Sequence, residues 1–207
     1  SELNTGLDLK KISTEGGPPI TIARNVNVGA SASWDGDDSI IVEDAGGGLV
    51  RVAAAGGEPA PFVAADPDGI TYYRFVSVLP EGRGVLLTVR SSVNTWFSDA
   101  SDAHVNVLDP KTGERKSLVR GSTPKYVPVS AHAGYLVYAS AGTLFGAHFD
   151  LDRLAIQGDP MPLVEDVAMA PGGATNYDVS WNGTLVYVPS GAAASRSLVW
   201  VDRSRRE

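Results

Sequence analysis

The sequence predicts an all-β chain built from repeated four-stranded antiparallel units, and three observations carry that prediction. The apolar runs are short, rich in Val, Ile, Leu and Tyr, and bounded by Gly, Pro, Asn or Asp, as strands are and helices are not. The 23 Gly and 13 Pro among 207 residues are scattered in small clusters, which suits many tight turns and leaves little room for helix. Two turn marks recur out of phase with one another, at intervals of 40 to 56 residues. Four strands per interval of that size is the pattern of a β-propeller blade.

Taken in order, strands are expected at 8–13 and 19–24, joined by the glycine turn EGGPP, as the outer pair of a partial blade spanning 7–24. A full blade over about 30–63 follows, with strands at 30–34, 39–43, 48–53 and 59–63. Its first turn is SWDG and its last is AGGEP. The second blade, about 72–119, has strands at 72–79, 84–89, 104–108 and 115–119, and it is lengthened by the polar insertion RSSVNTWFSDASDA. The third, about 126–165, has strands at 126–130, 135–139, 143–149 and 161–165, with QGDP in the place of the glycine turn. A last partial blade, about 176–202, has strands at 176–181, 184–189 and 197–202, and its first turn is SWNG.

Each mark has a physical reason. Glycine supplies positive φ without a Cβ clash, and a neighbouring Asp or Asn bonds its own backbone, which closes tight antiparallel connections. Proline after the glycine turn suits the first residue of an outer strand, where an N–H is not needed. Trp34 and Trp181, as large aromatics at strand ends, are expected to pack between blades. The units form one domain or a fragment of one. The ring is partial, or closes by a composite blade from both termini, or closes through a second copy at an unpaired edge such as SLVWVD, a homo-oligomer.

Composition excludes several functions. With 17 Lys+Arg against 24 Asp+Glu the net charge is −7, so the overall field repels nucleic acid and anionic membrane surfaces. No cysteine is present, which removes disulfides, thiolate metal sites and thiol nucleophiles but leaves the compartment open. No run approaches the roughly 18 apolar residues of a spanning helix, and SELNTGLDLKK lacks the layout of a signal peptide. The 43% hydrophobic content is enough to fill a core.

The chemistry-bearing residues form no catalytic motif. His104, His132 and His148 fall in different strands and turns, without the spacing that places two imidazoles on one metal. The acidic turn Asp35, Asp37, Asp38 is the best local cation candidate, yet it lacks the partner glutamate of a calcium loop, and a solvated turn is the plainer reading. Trp96 and Phe97 lie in the polar insertion, where exposed aromatics would form a ligand- or partner-binding surface and a local hydrophobic plug is the alternative. No cofactor is expected.

The succession KKISTEGGPPITI, ASWDGDDSIIV, GLVRVAAAGGEP, GTLFGAHFDLDRLAIQGDPMPLVEDV and SLVWVDRS resembles the TolB-type propeller repeats of the C-terminal sensor region of many bacterial eukaryotic-like serine/threonine protein kinases. Similar repeats occur in the propellers of prolyl-oligopeptidase-like peptidases. Neither the kinase loops nor a GxSxG nucleophile elbow is present in this chain. The resemblance implies an accessory, non-catalytic module of a larger protein. It would sense or dock a protein or small ligand, in an extracytoplasmic or periplasmic location. The competing expectation is a hydrolase or lyase with polar residues gathered in a central channel.

Overall fold

The computed structural model describes residues 7–26, 31–44, 47–65, 72–90, 102–170 and 173–191. Sixteen strands and one short 3-10 turn, Pro80–Gly82, account for the regular structure of these residues. Three four-stranded antiparallel sheets form the body. The first contains β3 (Ala32–Trp34), β4 (Ser39–Glu43), β5 (Leu49–Ala53) and β6 (Ala60–Val63). The second contains β7 (Tyr72–Val78), β8 (Val85–Arg90), β9 (His104–Leu108) and β10 (Arg115–Arg120). The third contains β11 (Ser122–Pro128), β12 (Ala133–Ser140), β13 (Thr143–Asp150) and β14 (Ala155–Val164). Two further pairs stand apart as two-stranded sheets: β1 (Leu7–Lys11) with β2 (Ile20–Val26), and β15 (Tyr177–Val179) with β16 (Leu185–Tyr187).

In every four-stranded sheet the strands pair in sequence order, so each is a simple meander. The first strands of successive sheets touch one another, β3 with β7, β7 with β11 and β11 with β15. The sheets therefore fan out from a shared inner line. Alternation along each middle strand serves two interfaces at once. In β4, Ile40 and Val42 pack on Leu9, Ile22 and Val26 of the β1–β2 pair, while Ile41 packs on Tyr73, Val76 and Leu87 of the second sheet. In β8 and β9, Leu86, Val105 and Val107 face Tyr126, Leu136, Tyr138 and Phe149 of the third sheet. Both faces of a middle strand are thus buried, each large apolar side chain contributing about 1.5–3 kcal/mol. That is why these strands read as continuous apolar runs.

The inner strands are stitched together by hydroxyl side chains. The Val76 and Val78 amides of β7 point away from β8 and donate to Ser31 Oγ (2.6 Å) and Ser33 Oγ (3.0 Å). Serines two apart on one strand face the same way, so SAS matches two alternate amides. Likewise the Thr123 amide of β11 donates to Thr88 Oγ1 at 3.0 Å. Both β7 and β11 carry a register shift with a non-glycine residue at positive φ, Phe75 (φ 54) and Thr123 (φ 54). Such bulges bend the inner strand, and a left-handed non-glycine residue costs about 1–3 kcal/mol. Hydrogen bonds from Ser122 and Thr123 to the Gly173 carbonyl offset part of that cost. The single-residue link between β10 and β11 is Gly121 (φ 151), where a Cβ would lie 2.6 Å from the Ala139 carbonyl oxygen.

Several turn expectations are corrected. The two SW sequences occupy the same kind of turn, between the first and second strands, but two residues out of register. Trp34 is the last residue of β3 and pairs with Ile40, whereas Trp181 lies inside the turn and Val179 is the residue paired with Leu185. The residues that correspond are Asp37, Asp38, Ser39 and Asn182, Gly183, Thr184. Asp37 Oδ1 accepts from the Ser39 amide, and Asn182 Oδ1 from the Thr184 amide. Between them Asp38 (φ 63) and Gly183 (φ 83) take the left-handed conformation, and Gly36 does not. Aspartate tolerates that conformation, so the glycine of SWDG is not the hinge of its turn.

QGDP is also displaced. The turn between β13 and β14 is residues 151–154, with Leu154 at φ 49, and Gly158 sits in a bulge within β14. The β13–β14 hairpin is therefore longer than expected, and Phe149, Leu151 and Leu154 cap the interface with the second sheet. β11 likewise begins at Ser122, four residues before the expected strand.

Trp34 and Trp181 do not pack between sheets: they are 56% and 66% exposed. Replacing either by alanine is expected to change stability by no more than about 0.5 kcal/mol, as for other unpaired surface positions; chemical denaturation checks this. The strand expected at 197–202 lies outside the described residues. Among the described residues no helix is long and apolar enough to cross a membrane.

Candidate functional site

In each sheet the loop joining the second and third strands emerges at the end opposite the SW-type turns. At that end of the second sheet, around the insertion 91–101, polar side chains gather. Arg90, the last residue of β8, is fully buried (0% exposed). Its Nε and Nη2 both donate to Asp102 Oδ1, at 3.2 Å each. Asp102 Oδ2 is buried too and has no hydrogen-bond partner. His104 and Asn106 fall on one face at the start of β9, and Asp102 lies in the turn just before it. Together with Val89 and Ser117 they line a cleft of about 250 Å³. Asn106 Nδ2 donates to the His104 carbonyl at 3.0 Å. The chemistry on offer is that of an acceptor: a carboxylate oxygen, held in place by a buried guanidinium, awaiting a donor or a cation.

A second ionisable group is buried at the same end of the first sheet. Glu43 closes β4 at 4% exposure, and its Oε1 has no hydrogen-bond partner. Loss of solvent raises its pKa to about 7, against the opposing pull of the Arg74 charge and with a further push from Asp44.

The sequence-predicted residues divide as follows. Trp96 and Phe97 lie outside the described residues. Asp35 and Asp37 are drawn to Arg51, whose Nη2 lies 3.3 Å from Asp35 Oδ2 and whose Nη1 lies 2.7 Å from Asp37 Oδ2. The hydrogen bond from Ser39, with help from Arg51, holds Asp37 below the ordinary carboxylate range. Asp38 takes the left-handed position of the turn, and its carbonyl accepts from the Ala54 amide. The Asp35 and Asp37 carboxylates already share the Arg51 guanidinium, and among the described residues no three His, Asp or Glu side chains converge as metal ligands.

The three histidines do not meet. His104 borders the cleft, His132 Nδ1 lies 2.9 Å from Asp152 on the opposite rim, and the His148 ring lies 4.5 Å from that of Tyr135. Asp152 also binds Arg83 Nη1 at 2.7 Å, joining the turns of the second and third sheets. Sequence reasoning does not single out Arg90, Asp102 or Asn106. The one available signal was polar residues at alternate positions leading into an otherwise apolar strand.

A second concavity is different in kind. A groove of about 410 Å³ runs between the third sheet and the β15–β16 pair, walled by Val127, Tyr135, Val137, Met161, Leu163 and Leu185. It offers no polar chemistry.

No protein-family model matches this chain, and no curated protein matches it. Solved structures do. TolB from Acinetobacter baumannii superposes with a TM-score of 0.54 at 14% identity, over 80% of this chain and 40% of that one. Regucalcin from Agrobacterium tumefaciens strain C58, a calcium-binding protein, superposes with a TM-score of 0.60 at 12% identity, over 88% of this chain and 60% of that one. The propeller of Dos1 is a weaker match, with a TM-score of 0.45 at 11% identity, over 86% of this chain and 46% of that one. The chain adopts the β-propeller fold. It spans less than two thirds of each of these three structures, and at such identities the likeness concerns the fold alone.

Proposed function

We propose that the chain is a non-catalytic recognition module within a larger propeller protein, binding a partner at the loop rim of its second sheet. The observation that carries this reading is Asp102 Oδ2, a buried acceptor without a partner in a polar cleft, directly after the insertion that contains Trp96 and Phe97. A donor or cationic group of the partner would satisfy Asp102, and the two aromatics would supply apolar anchors beside it. The inner strands favour this reading over chemistry in a central channel. Ser31, Ser33, Ser122 and Thr123 spend their hydroxyls on backbone groups, and Lys125 is paired with Asp178 at 3.1 Å. The resemblance to kinase sensor regions adds that the module works outside the cytoplasm, downstream of a signalling domain.

Photo-crosslinking in the native host tests the site. A photoreactive residue at position 96 is expected to capture a discrete partner, while one at His132 on the opposite rim does not. Asp102→Asn, which keeps the shape and removes the charge, is expected to cut the capture several-fold. Equal capture at both rims, or capture indifferent to Asp102→Asn and to alanine at Phe97, removes the site. Protection of the chain from protease added to intact cells would overturn the extracytoplasmic placement.

A further inference from the structure

The Asp102 cleft discriminates among cations, because its carboxylate offers a ligand only one of its two oxygens. Arg90 Nε and Nη2 both converge on Oδ1, at 3.2 Å each, so the fork of that guanidinium closes on a single oxygen and does not span the carboxylate. The other oxygen, Oδ2, is the buried acceptor without a hydrogen-bond partner. An arginine binds a carboxylate best through two parallel N–H···O bonds, one to each oxygen. With Oδ1 already taken that geometry is blocked, and a second guanidinium would lie against the first. An ammonium has no such requirement: it is a compact charge whose three donors can go to separate acceptors.

We infer that the cleft is a socket for a single lysine side chain of the partner, with the ammonium on Asp102 Oδ2 and the stem along Val89, and that it disfavours arginine. This rests on the binding proposed at the same rim. The remaining lining suits an ammonium. Ser117, exposed on β10, brings a hydroxyl to the cleft and is paired across the sheet with Asn106, whose side-chain amide carries an acceptor oxygen. Both are neutral acceptors, and Val89 gives the methylene stem an apolar wall. At about 250 Å³ the cleft is smaller than the roughly 300–1,000 Å³ usual for a whole small-molecule ligand, and it suits one long side chain. The Asp102 side chain as a whole is 33% exposed, so a small tilt of the carboxylate brings Oδ2 to an entering donor. The net charge of −7 draws a basic partner surface toward the chain, while the buried Arg90 charge keeps the affinity of an isolated ammonium low.

Titration of the full chain with the N-acetyl methylamide of lysine, and with its arginine analogue, tests the socket. NMR follows the side-chain amide of Asn106 and the backbone amides of Asp102 to Asn106. The lysine compound is expected to bind several-fold more tightly than the arginine compound, and acetylation of its ammonium to abolish binding. Asp102→Asn is expected to remove the saturable shifts. Ser117→Ala, at an exposed position where the fold tolerates it, is expected to weaken them several-fold and decides the matter if the Asp102 variant does not fold. Equal or tighter binding of the arginine compound, shifts that survive these substitutions undiminished, or no saturable shift overturns the inference. Tighter binding of putrescine would make the occupant a free amine and overturn it too. These probes need no partner, so the two readings fail separately. Photo-capture at position 96 without lysine selectivity removes only the socket, and a lysine-selective socket without capture removes only the partner site.

Discussion

Replacing Arg90 by alanine is expected to lower stability by about 3–5 kcal/mol, the largest single effect foreseen in the chain. The side chain is wholly buried, so its removal leaves a void at the rim of the second sheet and strips Asp102 of the donors on its Oδ1 while Oδ2 is already without one. For a chain of this size that loss corresponds to a drop in Tm of about 10 °C. Arg90→Met fills most of the volume and separates the two causes: it should recover part of the loss, and combining it with Asp102→Asn should recover more. Thermal and urea denaturation of the three variants check this. A loss below about 1 kcal/mol for Arg90→Ala would show that the guanidinium is not structurally needed.

Glu43 sets the second expectation. Its folded pKa, about 7, lies above the ordinary value of 4.5, so the native state retains a proton that the unfolded chain releases. The stabilising contribution is complete below about pH 4.5, declines as pH rises, and is lost above about pH 7. Its full size is on the order of 3 kcal/mol, from the shift and about 1.36 kcal/mol for each pH unit. Glu43→Gln keeps the shape without the charge. It should flatten this part of the pH–stability curve and make the variant more stable than the parent at pH 8. Parallel curves for the two proteins would overturn the assignment.

Both residues escape a reading of the sequence for a common reason. Arg90 and Glu43 end apolar runs, VLLTVR and SIIVE, where a charged residue ordinarily marks the exit of a strand into water. In the fold both side chains are buried, Arg90 against Asp102 and Glu43 near the charge of Arg74. The tryptophans err in the opposite sense: Trp34 and Trp181 look like packing residues, yet both side chains are exposed, one at a strand end and one in a turn. Likewise SWDG and SWNG match as letters but not as turns. What they share is an Asx hydrogen bond around a left-handed residue, Asp38 in one and Gly183 in the other, and aspartate conceals the conformation that glycine would advertise.

The strands themselves were legible because their cause is local. Short apolar runs between glycine and proline turns, with a repeating interval, specify antiparallel meanders, and β4 and β9 match the expected 39–43 and 104–108 to the residue. The sequence by itself determined the all-β class, the four-strand repeat and the succession of hairpins. Only the tertiary structure decided which strand ends are buried, where Asp102 Oδ2 is left without a donor, and where a groove lies beside β16. Those properties depend on how neighbouring sheets cover one another, between residues tens of positions apart, and no local pattern records that coverage.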